Sequence, residues 1–203
     1  MLQAPLNRSR SDKFVMVLDL PKALKAKYDS IIDANFDIDP VQFSIYGAPV
    51  PAINVPAIDV PFGGQVYKAS SMSRPAYDPI NVKFLIDNGY KNYWILWNWL
   101  NLFNDAKTST TDITTINPIN IPANTKLTKM SYPMSDYTSR FTIYGLDEFN
   151  NRIISFQYAN AFPTSLSEIG FSNQDPAEIN STVTFVFNQM HVDLVKDVDQ
   201  MTC

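Results

Sequence analysis

The chain has 203 residues, 45% of them hydrophobic, enough for one substantial core and short for two, so a single domain over 1–203 is expected. Sixteen Lys and Arg against twenty Asp and Glu give a net charge of −4, so composition offers no bulk basic surface for gripping nucleic acid or anionic lipid. The single cysteine, Cys203, excludes an intrachain disulfide framework and a cysteine-rich metal site and points to a cytosolic compartment, and with no long apolar run and no signal-peptide pattern neither membrane insertion nor export is expected.

Residues 1–13 are polar, weakly basic and carry Pro5, the pattern of a flexible N-terminal arm. Phe14 to Asp19 reads as a short strand, and Pro21 then stops it and opens an imperfectly amphipathic helix over Lys22 to Ile32. Val41, Phe43 and Ile45 alternate with Gln42, Ser44 and Tyr46 as a strand does, and Gly47 breaks the run. Residues 47–65 follow, with Pro49, Pro51, Pro56 and Pro61 among Val50, Ile53, Val55, Ile58 and Val60. That stretch is too apolar for a linker and too rich in proline for a central strand, so it reads as an edge hairpin or extended loop. Its apolar side chains call either for another copy of the chain or for its own core beneath it.

Gln65 to Ser70 resumes as strand. Ile80, Val82, Phe84 and Ile86 then alternate with Asn81 and Lys83, Asp87 to Gly89 turn the chain, and an aromatic helix runs from Tyr90 to Phe103. All three tryptophans, Trp94, Trp97 and Trp99, lie in it, and Lys91, Asn98, Asn101 and Asp105 fall on one narrow polar stripe. So short a helix is marginal alone in water and must gain its stability by docking. Each Trp buries about 150–250 Å², worth about 4–6 kcal/mol gross. A helix wet on one strip only needs two dry neighbours: one is the chain's own sheet, the other a loop of the same chain or a second subunit.

Residues 104–136 are rich in Thr and Asn and interrupted by Pro118, Pro122 and Pro133, the pattern of a surface insertion. Arg140 to Leu146 and Arg152 to Tyr158 form a hairpin around Asp147 to Asn151, Phe162 and Pro163 end its second arm, and a turn is expected from Ser165. Ser181 to Val192 closes the fold, with Val183, Phe185 and Phe187 on one face. The sum is a mainly β (α+β) protein, an antiparallel β-sandwich or partial barrel with one flanking α-helix.

Catalytic patterns are lacking. His191 is the only histidine, sits in the last strand and reads as a hydrogen-bonded structural residue; no G-x-S-x-G, H-E-x-x-H or phosphate-binding glycine loop occurs. Asp33, Asp37 and Asp39 cluster without the spacing of a calcium loop. No catalytic residue, metal ligand or cofactor is assigned.

The order of these segments resembles the tail tube proteins of contractile-tailed bacteriophages. The resemblance runs from about Phe14 to Val192 and rests on the early strand, Val41 to Tyr46 with the apolar loop, Gly63 and Gly64, and Ser73 with Arg74. It continues through the strand from Val82 to Asp87 leading to Tyr93 and Trp97, the hairpin, Phe162 with Pro163, Ile169 and the closing strand. It implies a structural virion protein that self-assembles into hexameric rings, whose inner faces join as one β-barrel and whose stacks form the genome-ejection channel inside a contractile sheath. The partners it implies are other copies of the chain, the tail sheath protein, a baseplate hub and a tape measure protein, with double-stranded DNA passing without specific binding and no membrane. The location it implies is the phage tail, assembled in the host cytoplasm. The long insertion departs from the pattern and leaves open a baseplate tube initiator or a secretion-system inner tube of the same fold; a small β-rich carbohydrate-binding or hydrolytic domain is the alternative of another class. Candidate self-assembly residues are Val50, Ile53, Val55, Ile58, Val60, Trp94 and Trp99.

Overall fold

The computed structural model describes residues 9–25, 44–103, 134–173 and 178–195. The strands, in chain order, are β1 (Phe14–Leu18), β2 (Ser44–Gly47), β3 (Ala57–Phe62), β4 (Gln65–Ser70), β5 (Ile80–Leu85), β6 (Ser139–Leu146), β7 (Arg152–Leu166), β8 (Asn180–Val186) and β9 (Gln189–Leu194). The helices are α1 (Lys91–Asn101) and α2 (Met134–Tyr137), and residues 22–25 are also helical. The remainder of the helix expected to Ile32, Val41 to Phe43, the acidic cluster at Asp33, Asp37 and Asp39, and most of the Thr-rich insertion lie outside the described residues.

All pairings are antiparallel, and β7 is the axis of the fold. Along its first part it pairs with β6 on one side and β9 on the other; along its second it pairs with β8. β1 extends the first group as β1-β6-β7-β9, and β5 and β2 extend the second as β7-β8-β5-β2. Asn160, with φ 54°, marks the change between the two groups. A left-handed residue in a strand is the signature of a bulge, which bends the strand and re-aims its side chains. The two groups enclose the core but do not meet edge to edge, so the barrel is open between β1 and β2.

The strand alternation expected for Ile80, Val82 and Phe84 is present: all three are buried while Asn81 and Lys83 are exposed. Val183, Phe185 and Phe187 share the core face as expected. Two strand boundaries differ. Phe162 and Pro163 do not end β7, which continues to Leu166 with Pro163 opposite Phe185. Proline is tolerated there because this part of β7 has only one strand partner, and the register slips between Pro163 and Ser165. No turn begins at Ser165; Ser167 Oγ, just past the strand, accepts the Thr182 amide at 2.8 Å. The closing strand divides into β8 and β9 at Phe187 and Asn188, although the Asn188 amide still donates to Ala159 O at 3.2 Å. His191 is exposed on β9, opposite Gln157.

Helix α1 lies against this sheet, with its polarity inverted relative to the expected stripe. Asn98 is buried and donates to Trp94 O at 2.9 Å, and the exposed line instead runs through Lys91, Trp94 and Trp97. Asn92 fixes the phase. Buried at the helix start, it donates from Nδ2 to Leu85 O (2.8 Å) and accepts from the Asp87 and Tyr93 amides through Oδ1. Asp87 Oδ1 accepts the Lys91 amide at 2.7 Å, so the turn itself supplies the cap while Tyr90, at φ 54°, makes the left-handed bend. Trp99 is 0% exposed, edge-on to Phe185, and its Nε1 donates to Tyr137 O at 2.9 Å. Phe103, Tyr137 and Phe162 complete the contact as three mutually packed rings.

Beneath the helix, Phe141 stacks on Tyr158 with centroids 4.3 Å apart, and Tyr158 meets Phe187 edge-on. The Tyr158 hydroxyl has no hydrogen-bond partner among the described residues, and burial pushes this phenol well above its ordinary pKa. The folded state therefore holds its proton at pH values where the unfolded phenol, near pKa 10, has lost it. Stability from this group is full below about pH 10 and is lost as pH rises through the gap between the two values. Chemical denaturation between pH 9 and 11 should show stability falling with pH and a shallower fall in Tyr158→Phe; equal slopes would mean that the hydroxyl is not shielded. In the same assay Trp99→Ala should cost about 3–5 kcal/mol, and Trp97→Ala much less. Equal costs would contradict the phase of α1.

Candidate self-assembly interface

The apolar, proline-rich stretch is a platform leading into a hairpin. Residues 48–56, with Pro49, Pro51 and Pro56, run without strand pairing, and the Ser71 amide donates to Pro56 O at 2.9 Å where the hairpin begins. β3 and β4 then pair from Ala57 with Ser70 to Phe62 with Gln65. The connection is Gly63 and Gly64, at φ 59° and 77°. Two successive positive φ values suit a two-residue turn whose twist matches that of the strands, and glycine adopts them without strain. Pro61 fits because this hairpin is a two-stranded sheet of its own, in which every strand is an edge.

Alternation sorts the hairpin's side chains. Ile58, Val60 and Phe62 share one face with Ala69, Tyr67 and Gln65; Asp59 and Lys68, an ion pair, share the other with Pro61 and Val66. Every residue of β3 is exposed, Phe62 most of all at 73%. Val50, Ile53 and Val55 on the platform, and Ile58 and Val60 on the hairpin, are all exposed, so five of the seven candidate positions form a continuous length of chain presenting apolar side chains outward.

The two helix candidates separate. Trp94 is 37% exposed, but Trp99 is sealed in the core, and no second copy can reach it. Trp97, at 41%, takes its place on the outer face. Sequence spacing missed this because it placed Asn98 outside, whereas three hydrogen bonds at Asn92 turn the helix the other way. Val66 and Tyr67 were also missed as interface candidates, since the hairpin extends past residue 65, and Phe62 was missed although it lies within the stretch. The Gly63-Gly64 pair between alternating residues was the available signal.

A second surface is backbone rather than side chain. β1 and β9 form the outer edges of the four-strand group, and among the described residues neither has a partner on its outer side. On the face turned from the core, this group presents Val15, Val17, Thr142, Tyr144, Gln157, His191 and Asp193, with Ser155 buried among them. Arg152 lies over the Tyr144 ring at 4.5 Å. The expected arm ends in ordered contacts: Lys13 Nζ donates to Asn150 Oδ1 at 2.8 Å, and Lys13 O accepts the Leu146 amide at 3.0 Å. No group of three or more His, Cys, Asp or Glu among the described residues is placed to hold a metal ion.

Solved structures of similar fold come from tubular assemblies. The anti-feeding prophage cap, a tube-terminating cap, aligns over 96% of this chain and 97% of its own, at 17% identity and a TM-score of 0.57. The sheath–tube complex of the extracellular contractile injection system PVC, in its extended state, aligns over 94% and 95%, at 12% identity and 0.52. The sheath/tube terminator of that system aligns over 95% and 99%, at 12% and 0.51. No protein of curated function matches the sequence. At such identities the structures speak for the fold alone, which in this chain is antiparallel sheets, two helices and a barrel that is not closed among the described residues. The sequence itself supplies the family, since the model described as phage tail tube protein matches residues 9–193, and the chain accordingly belongs to the phage tail tube protein family.

Proposed function

We propose that this chain is the major tube subunit of a phage or phage-like particle, assembling with itself into hexameric rings that stack as a channel inside a contractile sheath. The observation that supports this most is the four-strand group β1-β6-β7-β9, with alternating strand directions and two open edges. β1 runs antiparallel to β9. Rotation about an axis along the strands preserves direction, so β1 of one copy meets β9 of the next as an antiparallel pair. An even number of alternating strands repeats around a ring without a parallel fault. Such a head-to-tail contact is heterologous, and a closed ring removes every exposed edge of the group.

The core face of this group is turned toward the chain's own core, so the other face lines the channel. There Arg140 and Arg152 accompany Asp193 and neutral side chains instead of a dense basic stripe, a lining that lets double-stranded DNA pass without holding it. The exposed apolar hairpin and platform serve contacts between stacked rings. Tail sheath outside, and baseplate hub and tape measure protein at the ends and in the channel, are the partners this role requires; the PVC relative was itself solved as a sheath–tube complex. A similar fold also occurs in the anti-feeding prophage cap, a tube-terminating cap. A terminal ring of that kind forms rings that do not extend.

Negative-stain microscopy of the concentrated protein should show rings and tubes, and the Val55→Asp, Ile58→Asp double variant should keep its circular dichroism spectrum and lose tubes. Normal tubes from the variant would remove the hairpin and platform from stacking. Rings alone from the unaltered chain would favour the terminal role, and a monomer that binds glycans would contradict the tube reading.

A further inference from the structure

Between β1, the turn joining β6 to β7 and residues 46–50 lies a crevice of about 680 Å³. Phe14, Val50, Ile143, Ile153, Ile154 and Phe156 line it, with Gly145 among them at a point where an added Cβ would come within 2.7 Å of Ile154 Cγ2. Its mouth carries Arg10, Lys13, Asp147 and Glu148, and each is already engaged in an interaction of its own. Arg10 pairs with Asp12 at 2.8 Å, and Lys13 donates to Asn150. Asp147 accepts the Phe149 and Asn151 amides through Oδ1 and the Asn151 Nδ2 through Oδ2. With its charges spent on its own turns, the crevice offers an occupant apolar surface and few free polar groups. A charged small molecule finds little to orient it there; an apolar protein segment finds a bed.

The chain also carries a segment of that character. The hairpin β3–β4 has one apolar face, with Phe62 near its tip and the Phe62 and Tyr67 rings 6.2 Å apart, and its charged pair on the opposite face. Its two-residue glycine turn and strand pairing hold it in shape, so little conformational freedom remains to be lost on docking. Val50, on the crevice wall, and Ala57, where β3 begins, are joined by the short platform, so seat and plug belong to consecutive segments of one chain. A plug and a different seat on each copy make a head-to-tail contact, which repeats along a stack.

We infer that the apolar face of the β3–β4 hairpin of one copy seats in the β1/β6–β7 crevice of a second copy, Phe62 foremost. This rests on the tube reading and names the surface on which successive rings meet.

The test uses two single-cysteine chains in a Cys203→Ser background, Phe62→Cys and Ile153→Cys, both at exposed positions, with Val50→Cys as a second crevice probe. Folding of each is checked by circular dichroism. Mixed, assembled and mildly oxidised, F62C with I153C or V50C should give several-fold more covalent dimer than F62C with W97C, a control on the far helix. Tubes in which F62C joins neither crevice probe, or joins W97C equally well, would overturn the crevice and leave the tube reading standing. A chain that forms neither oligomer nor cross-link would overturn both. Rapid disulfide formation within a dilute F62C/I153C double variant would show the hairpin covering its own crevice, and would also overturn the inference.

Discussion

A strand has two hydrogen-bonding edges, and the way β7 distributes its own decides what this molecule leaves open. Its fifteen residues pair continuously with β8 and β9 on one side and with β6 along only the first part of the other. That single strand therefore belongs to two groups that curl around one core without meeting. If β7 ended at Pro163, β8 would lose its pairs with Ser165 and Leu166 and the groups would be joined only through Phe162 and Pro163. Because it continues, the molecule has a common core, and among the described residues β1, β2 and β9 have no partner on their outer edges. Unpaired edges invite pairing with another chain, and here their directions suit a ring.

The helix completes the arrangement from outside the sheet. Asn92 ties the start of α1 to the end of β5 through three hydrogen bonds, and the indole of Trp99 reaches Tyr137 while its rings meet Phe185. Buried polar groups that are fully paired specify orientation as well as stability. Their consequence is an outer helical surface with Trp94 and Trp97 on it, next to a body whose own core is complete. Apolar surface is thus distributed at separate places: the helix, the platform and hairpin, and the crevice near β1.

Much of this was legible in the residues. Strict alternation located β5, β6, the start of β7 and the core face of β8, because one buried face imposes a period of two on the side chains. The open edges were not legible, since pairing order depends on contacts between segments remote in sequence. The helix was found but its rotation was wrong: periodicity assumes that asparagine faces water, and Asn92 and Asn98 are buried with partners that only the folded turn supplies. Trp99 was misassigned to a surface for the same reason. For residues 47–65 the prolines left two readings, an edge hairpin or an extended loop, because a proline at an edge strand looks from sequence like a break; the structure has both, a platform over 48–56 and then β3 of the hairpin. Where a local rule held, the element was found; where a distant partner overrode it, the residue was misplaced.

The proposal that copies of this chain complete one another rests on the family, the open four-strand group and the apolar hairpin. The joining of β1 to β9 between neighbours is the step on which the ring depends, and amide hydrogen exchange reads it directly. In dilute single chains the amides of β1 and β9 that face away from β6 and β7 should exchange quickly. In assembled particles both sets should become protected together, while those of β3 respond only when rings stack. Rings whose outward β1 and β9 amides exchange as fast as in the free chain would contradict the account.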